Sequence, residues 1–323
     1  MLELKESRAW RWRTRKGSDR LVDRASGGNA VHGLLPEEQT AIVALFDDWG
    51  EVDRSHRKLA HRGSYLGLVW VSPSTVKRVL AVQGLHLERP RRIGTSAKRP
   101  FPEWATYEKD SIWIYDCTRF ARCRTASAVA IMDLVTRKWL VTVVSAEETS
   151  TQIQVAFIEA LGDEGLLDLI EARANGVVDL AVDDPSRPIL LAVSDNGPQM
   201  TSGSTREFMA MCAIAQHFGR PGTPTDQAWI ESLFSHVKGE WPHLDLIADP
   251  EVLRAELEAV RQDYNTTRLH ASLGYVTPDD EHEGQGPAIR KARKDGLAAA
   301  RAKRIDYHRQ HRQPQPPGSR DVD

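Results

Sequence analysis

Three acidic residues far apart in the chain occupy positions where folding concentrates chemistry. Asp116 follows Ile112-Trp113-Ile114-Tyr115, a continuous apolar run of the kind that forms a strand buried on both faces. Asp195 follows a second run, Ile189–Val193, and enters Asn196-Gly197-Pro198, a turn that fixes the exit angle of its carboxylate. Strand ends in α/β sheets are where side chains emerge beside loops and sites are built. Glu231 falls on a helix expected over Thr225–Glu240, whose apolar stripe is Ile230, Leu233, Phe234, Val237 and Trp241. It borders that stripe and faces the domain body, where a carboxylate needs a partner, and a divalent cation held by hard oxygen ligands is one.

The surrounding pattern alternates strands and helices. Ala126–Leu134 and Trp139–Val144 read as strands joined by the polar turn Thr136-Arg137-Lys138, and Thr149–Leu161 as a helix. Helices follow near Ser204–Cys212 and over Pro250–Tyr264, then a basic helix near Ala288–Arg304 and a Pro/Gln/Arg tail. Asp133, Asp183, Asp184 and Asp226 are set aside: the first sits within a strand, the next two in a presumed insertion near Asn175–Arg187, and the last near a helix start. Lys238, two helical turns after Glu231, shares its face and is a candidate DNA contact.

Ahead of this region, Ile42, Leu45, Phe46 and Trp49 keep the spacing of one buried helix face. A second helix is expected from Arg54 to His61, stopping at Gly63 as a left-handed cap. A third begins at Ser72-Pro73, with Val76, Val79 and Leu80 inward and Ser74, Lys77 and Arg78 outward. Three short helices with a basic last one predict a helix-turn-helix, with Ser74, Lys77 and Arg78 toward DNA. The organisation expected is a basic arm over 1–33, a helix-turn-helix over 34–87, a basic linker over 88–107, a catalytic core over 108–280, and a basic helix with tail over 281–323.

Charge follows the same division. Residues 1–100 carry 19 Lys+Arg against 11 Asp+Glu, residues 101–280 carry 14 against 28, and residues 281–323 carry 10 against 6. Basic ends suit phosphate and an acidic middle suits cations, so the overall charge of −2 does not argue against a nucleic-acid partner. No apolar run approaches the length of a membrane span, and the charged start predicts no secretory signal. Cys117, Cys123 and Cys212 lack metal-ligand spacing and cannot all pair, which predicts a reduced, cytoplasmic setting.

Between Asp195 and Glu231 lie 35 residues. With that gap the chain resembles the integrase-core transposases of bacterial insertion sequences, of the second-reading-frame type, which are related to retroviral integrases. The matching stretches are Trp113–Thr118, Ser194–Ser202, Arg220–Phe234, Tyr264–His270 and Leu273–Pro278, in that order. Gln227, Pro198 and Met200 depart from the commoner residues of that pattern, and none belongs to the acidic triad. The resemblance implies an RNase H-like α/β fold: a mixed five-stranded sheet flanked by helices, with two aspartates from adjacent strands and the glutamate from a helix beside them. It assigns Asp116, Asp195 and Glu231 as catalytic residues and as ligands of Mg²⁺ or Mn²⁺, two ions in all, for cutting and rejoining DNA. Partners implied are the element's terminal inverted repeats, target DNA, further copies of the chain in the active complex, and an upstream-frame fusion segment; no membrane is involved. The alternatives are a catalytically silent DNA-binding relic or regulator keeping the fold, and an RNase H-type nuclease. The last leaves the helix-turn-helix and the 35-residue gap unexplained.

Overall fold

The computed structural model describes residues 31–87, 101–123, 126–146, 148–177, 183–219 and 228–311, together with Glu6, Trp10, Arg13 and Thr14. Most of the expected basic arm, the Arg89–Pro100 stretch of the linker, the segment 220–227 and the tail beyond 311 lie outside the described residues.

The first three helices are α1 (Pro36–Trp49), α2 (His56–Tyr65) and α3 (Pro73–Val82). Each start has a local cause. Glu38 reaches back to the Leu35 N–H (2.9 Å), Ser55 accepts from Lys58 N–H (3.1 Å), and Ser72 accepts from Thr75 N–H (3.2 Å), so backbone donors without helical partners are satisfied. Ile42, Leu45, Leu59, Val69, Val76 and Leu80 meet in one apolar cluster. The expected stop of α2 at Gly63 is corrected. Gly63 is helical, and a Cβ there would lie 2.8 Å from both Leu45 and Val69, so glycine serves close packing. The left-handed residue is Gly67 (φ 70°), where the chain turns toward α3.

Five strands form one mixed sheet in the order β3-β2-β1-β4-β5: β1 Ile112–Thr118, β2 Ser127–Asp133, β3 Trp139–Ser145, β4 Leu190–Ser194 and β5 Ile214–Phe218. Central β1 runs antiparallel to β2 and parallel to β4, the RNase H-like arrangement expected. The edge strand β5 was not anticipated, since Gln216 and His217 interrupt any apolar run. β1 extends past its apolar stretch, so Asp116 lies inside the strand and not after its end.

The connecting helices are α4 (Ser150–Asp163), α5 (Leu167–Ala174), α6 (Pro198–Thr201), α7 (Gly203–Met211), α8 (Ala228–Glu240) and α9 (Pro250–Thr266). Ile153, Ala156, Phe157 and Ala160 of α4 cover Trp113, Tyr115, Val129 and Ile131 on one sheet face. On the other, Ile230, Leu233 and Val237 of α8 and Leu253, Leu257 and Tyr264 of α9 cover Ile112, Ile114, Ala130 and Met132. Burying a side chain such as Phe157 contributes about 1.5–3 kcal/mol, and alternation along β1 supplies such residues to both layers. Asn265 docks α9 on the edge strand β3: its amide accepts from Trp139 N–H and donates to Trp139 C=O, both at 2.9 Å. One side chain thus satisfies both polar groups of an edge residue.

After the short α10 (Pro278–His282) comes α11 (Gly286–Gln310), longer than expected and buried through its cations. Arg293 donates to Ser64 Oγ (3.0 Å) and to the carbonyls of Gly274 (2.6 Å) and Tyr275 (2.7 Å). Three turns later Arg304 binds Glu38 (2.8 Å) and the Trp70 carbonyl (2.6 Å). The indole of Trp70 occupies the space where a Cβ at Gly296 would stand. From α2, Arg62 donates to Asp53 (2.7 Å) and to the Thr267 carbonyl (2.6 Å), and Tyr65 donates to Asp280 (2.6 Å). The three N-terminal helices are therefore joined to the sheet region through a polar seam. No helix among the described residues is long and apolar enough to cross a membrane.

Candidate active site

The register of the parallel pair β1–β4 sets Ile112 opposite Leu191 and Ile114 opposite Val193. Continued two residues, it sets Asp116 abreast of Asp195, so adjacent strands deliver two carboxylates to the same edge of the sheet. Asp195 Oδ1 accepts from Gly197 N–H (2.8 Å) and Asn196 donates to the Gly219 carbonyl (2.6 Å), which fixes the turn after β4. Glu231 comes from α8, which packs on β1. Its neighbours Ile230 and Leu233 are buried as the stripe requires, whereas Glu231 itself is exposed and does not face the domain body. Burial, and then the negative charges of Asp195, Glu231 and Glu148, push the Asp116 carboxyl up to about 7 against the pull of a bond from Cys117 N–H (2.7 Å). Glu148, just before α4, is a fourth carboxylate here, and nothing in the sequence singled it out.

Lys238 has internal partners. Its Nζ donates to Thr118 Oγ1 (2.8 Å) and to the Arg119 carbonyl (2.7 Å), and lies 5.0 Å from the Phe120 ring centre. It ties α8 to the end of β1, so the elements carrying Glu231 and Asp116 are braced together. Asp245 holds the next residues by accepting from Ala121 N–H (2.9 Å). The Arg119 side chain points outward and binds Glu148 (Nε–Oε1 2.7 Å). Ser74, Lys77 and Arg78 are exposed on α3. Arg268 and His270, by contrast, are anchors: Arg268 pairs with Glu240, and His270 contacts the Tyr264 hydroxyl (3.1 Å).

At the opposite end of the sheet, Asp110, Asp133 and His282 are the one His/Cys/Asp/Glu group among the described residues whose ligand atoms all lie within 4.8 Å of one another. Its bonding makes it an ion network and not a cation site. Nε2 of His282 meets Glu164 (2.7 Å), while Nδ1 meets Thr136 Oγ1 (2.9 Å), which in turn donates to Asp133 (2.7 Å). The two aspartates face different ring nitrogens, Asp133 at 3.5 Å from Nδ1 and Asp110 at 4.0 Å from Nε2. Burial works against a charged ring, but the bonds to Asp133 and Glu164 hold the His282 pKa above its ordinary value. Glu164, also bound by Lys138 (3.0 Å) and near Lys109 (3.4 Å), falls to about 2: burial would raise it, and the bonds from His282 and Lys138 prevail. An imidazolium donating from both nitrogens has no lone pair for a metal.

Asp116, Asp195 and Glu231 are not among the groups whose ligand atoms all lie within 4.8 Å of one another.

Residues 212–278 match the family model of the integrase core domain. The chain is 23% identical to the transposase for insertion sequence element IS904 of Lactococcus lactis subsp. lactis (strain IL1403), over 61% of this chain and 68% of the relative. It is 28% identical to an uncharacterized 31.7 kDa protein of insertion element IS407 from Burkholderia multivorans, over 38% of this chain and 43% of the relative, less than half of that protein. Solved structures similar to it include the catalytic core domain of BIV integrase (18% identity, TM-score 0.38, 55% of this chain and 97% of that one). Another is a simian T-cell lymphotropic virus intasome in complex with PP2A regulatory subunit B56 gamma (14%, 0.40, 69% and 73%). The chain thus carries a stretch, 212–278, that matches the integrase core domain, and over a longer span it is similar to the transposase of an insertion sequence.

Proposed function

We propose that this protein is a transposase that cuts DNA at the ends of an insertion sequence and joins them to target DNA, with Asp116, Asp195 and Glu231 as ligands of two divalent cations, Mg²⁺ or Mn²⁺. The observation that carries the reading is the β1–β4 register, which continued two residues sets Asp116 abreast of Asp195 at the upper edge of the sheet, beside the helix α8 that bears Glu231. The donor set fits such ions: carboxylate oxygens are hard ligands, and their mutual repulsion is relieved by a cation between them. When bound, the ions supply Lewis acidity to the attacking and leaving oxygens of a phosphodiester.

The chain's own part is positioning. β1, the central strand of the sheet, carries Asp116, which would be one of the ligands of the cations. The turn at Gly197 sets the Asp195 carboxylate, and Lys238 keeps α8, with Glu231, against the end of β1. Water attacking phosphorus releases a 3′-hydroxyl at the element's end. That hydroxyl then attacks a target phosphodiester in the same cage, with a target 3′-oxygen leaving. No side chain forms a covalent bond to DNA. Residues 36–85 recognise the terminal repeats, with Ser74, Lys77 and Arg78 toward the groove or backbone, and two ends joined in one event call for more than one copy of the chain.

The test is strand transfer with Mg²⁺ or Mn²⁺ on DNA carrying the element's ends. Asp195→Asn is expected to abolish cutting and joining while end-binding persists. Joining retained in that variant would end the catalytic assignment, and inactivity of the natural sequence on its own ends would favour a silent relic.

A further inference from the structure

We propose that Arg119 receives the phosphate backbone of the strand to be cut, exchanging its bond to Glu148 for a DNA phosphate; the inference rests on the transposase reading above. A polyanion approaching the upper edge meets four carboxylates, Asp116, Asp195, Glu231 and Glu148, and needs a fixed cation to hold its flanking phosphates. Lys238 was the expected contact, but its ammonium is engaged by Thr118 Oγ1 and the Arg119 carbonyl. Arg119 is placed differently. Its side chain is 69% exposed, and it bonds Glu148 through Nε alone. Among the described residues the terminal nitrogens of its guanidinium have no partner, leaving donors for a phosphate.

The root of this side chain is stiff. Lys238 holds the Arg119 carbonyl, Asp245 holds the Ala121 N–H, and Asp116 lies three residues back on β1, which ends at Thr118. Only the side chain has to move, so its reach from the acidic centre is set by the fold. β1 and β3 both run toward this edge, and the Arg119–Glu148 bond spans from the end of one to the segment after the other. Exposed pairs of this kind hold weakly and exchange readily for phosphate. Glu148 thereby parks the guanidinium away from Asp116 and Asp195, where it would compete with cations.

The test compares Arg119→Ala, Arg119→Lys and Glu148→Gln in the full chain. One arm measures anisotropy of a short fluorescent duplex of arbitrary sequence in Ca²⁺ across a salt series. The other measures Mn²⁺-dependent nicking of supercoiled plasmid. Arg119→Ala is expected to weaken binding by about three- to tenfold and to lower the slope of log affinity against log salt by about 1. Arg119→Lys keeps the slope with intermediate affinity, Glu148→Gln tightens binding, and in nicking KM moves more than kcat. An unchanged slope in Arg119→Ala overturns the proposal. So does Glu148→Gln weakening binding alongside Arg119→Ala, the result of a purely structural pair. Should the natural chain bind the duplex without nicking or joining any DNA, the transposase reading fails while the binding arm still decides Arg119.

Discussion

At the lower end of the sheet, Asp110, Asp133 and Glu164 are matched by His282, Lys138 and Lys109; at the upper end, Asp116, Asp195, Glu231 and Glu148 have Arg119 bound to only one of them. The same residue type has opposite consequences at the two ends. Below, the chain supplies its own counter-charges and seals them in, and the acids become structural glue joining α10 to the sheet. Above, counter-charge is withheld, so the acids repel one another and attract whatever cation arrives. Surplus, and not the presence of carboxylates, separates an edge suited to cations from a structural one.

The widest gap between the two ends is expected in chemistry. Asp116→Asn or Asp195→Asn should lower strand transfer by on the order of 10³-fold or more. Asp116→Asn should also raise the melting temperature in metal-free buffer, because it removes a charge disfavoured by burial and then by its acidic neighbours; a lower one would contradict this account. Next in size is stability at the lower end. Asp133 is fully buried and accepts from Thr136 and Val135 N–H, so Asp133→Ala leaves buried donors and an unmatched imidazolium. Urea unfolding should show a loss of about 3–5 kcal/mol, with joining per folded molecule retained; loss of joining alone would erase the distinction.

A smaller effect lies in pH. Because the His282 pKa is raised on folding, its contribution is complete below the ordinary value of 6.5 and disappears as pH rises through the folded value. Glu164 has the reverse sign: its contribution is present above 4.5 and lost as pH falls toward about 2. Stability of the natural chain should therefore decline on going from pH 6 to alkaline pH, and His282→Gln should flatten that decline; parallel curves would remove the imidazolium. Smallest is the response of α3. Lys77→Ala or Arg78→Ala should each reduce the salt slope of DNA binding by about 1 with no change in unfolding.

Three acids of the upper edge, Asp116, Asp195 and Glu231, stood out in the sequence because each follows an apolar run or borders an apolar stripe, and the 35-residue gap joins two of them. Asp133 was set aside as a strand residue, since its counter-charge His282 comes from a distant segment that no local pattern links. Arg119 and Glu148 escaped for a similar reason: 29 residues separate them, and only the antiparallel turn through β2 and β3 brings them together. Gly63 misled because glycine signals either a left-handed turn or a tight contact, and sequence does not say which. α11 read as a solvated basic helix because buried arginines are uncommon, and the carbonyls that receive them belong to loops without a motif.

The seam made by Arg62, Arg293 and Arg304 has a practical corollary. A joint fastened with oily side chains sticks to strangers when it is pulled apart, whereas guanidinium and carbonyl groups are readily welcomed by water. The arginine bonds that hold the three N-terminal helices are therefore ones that water can replace, which leaves the Trp70 indole against Gly296 as an apolar contact of the joint.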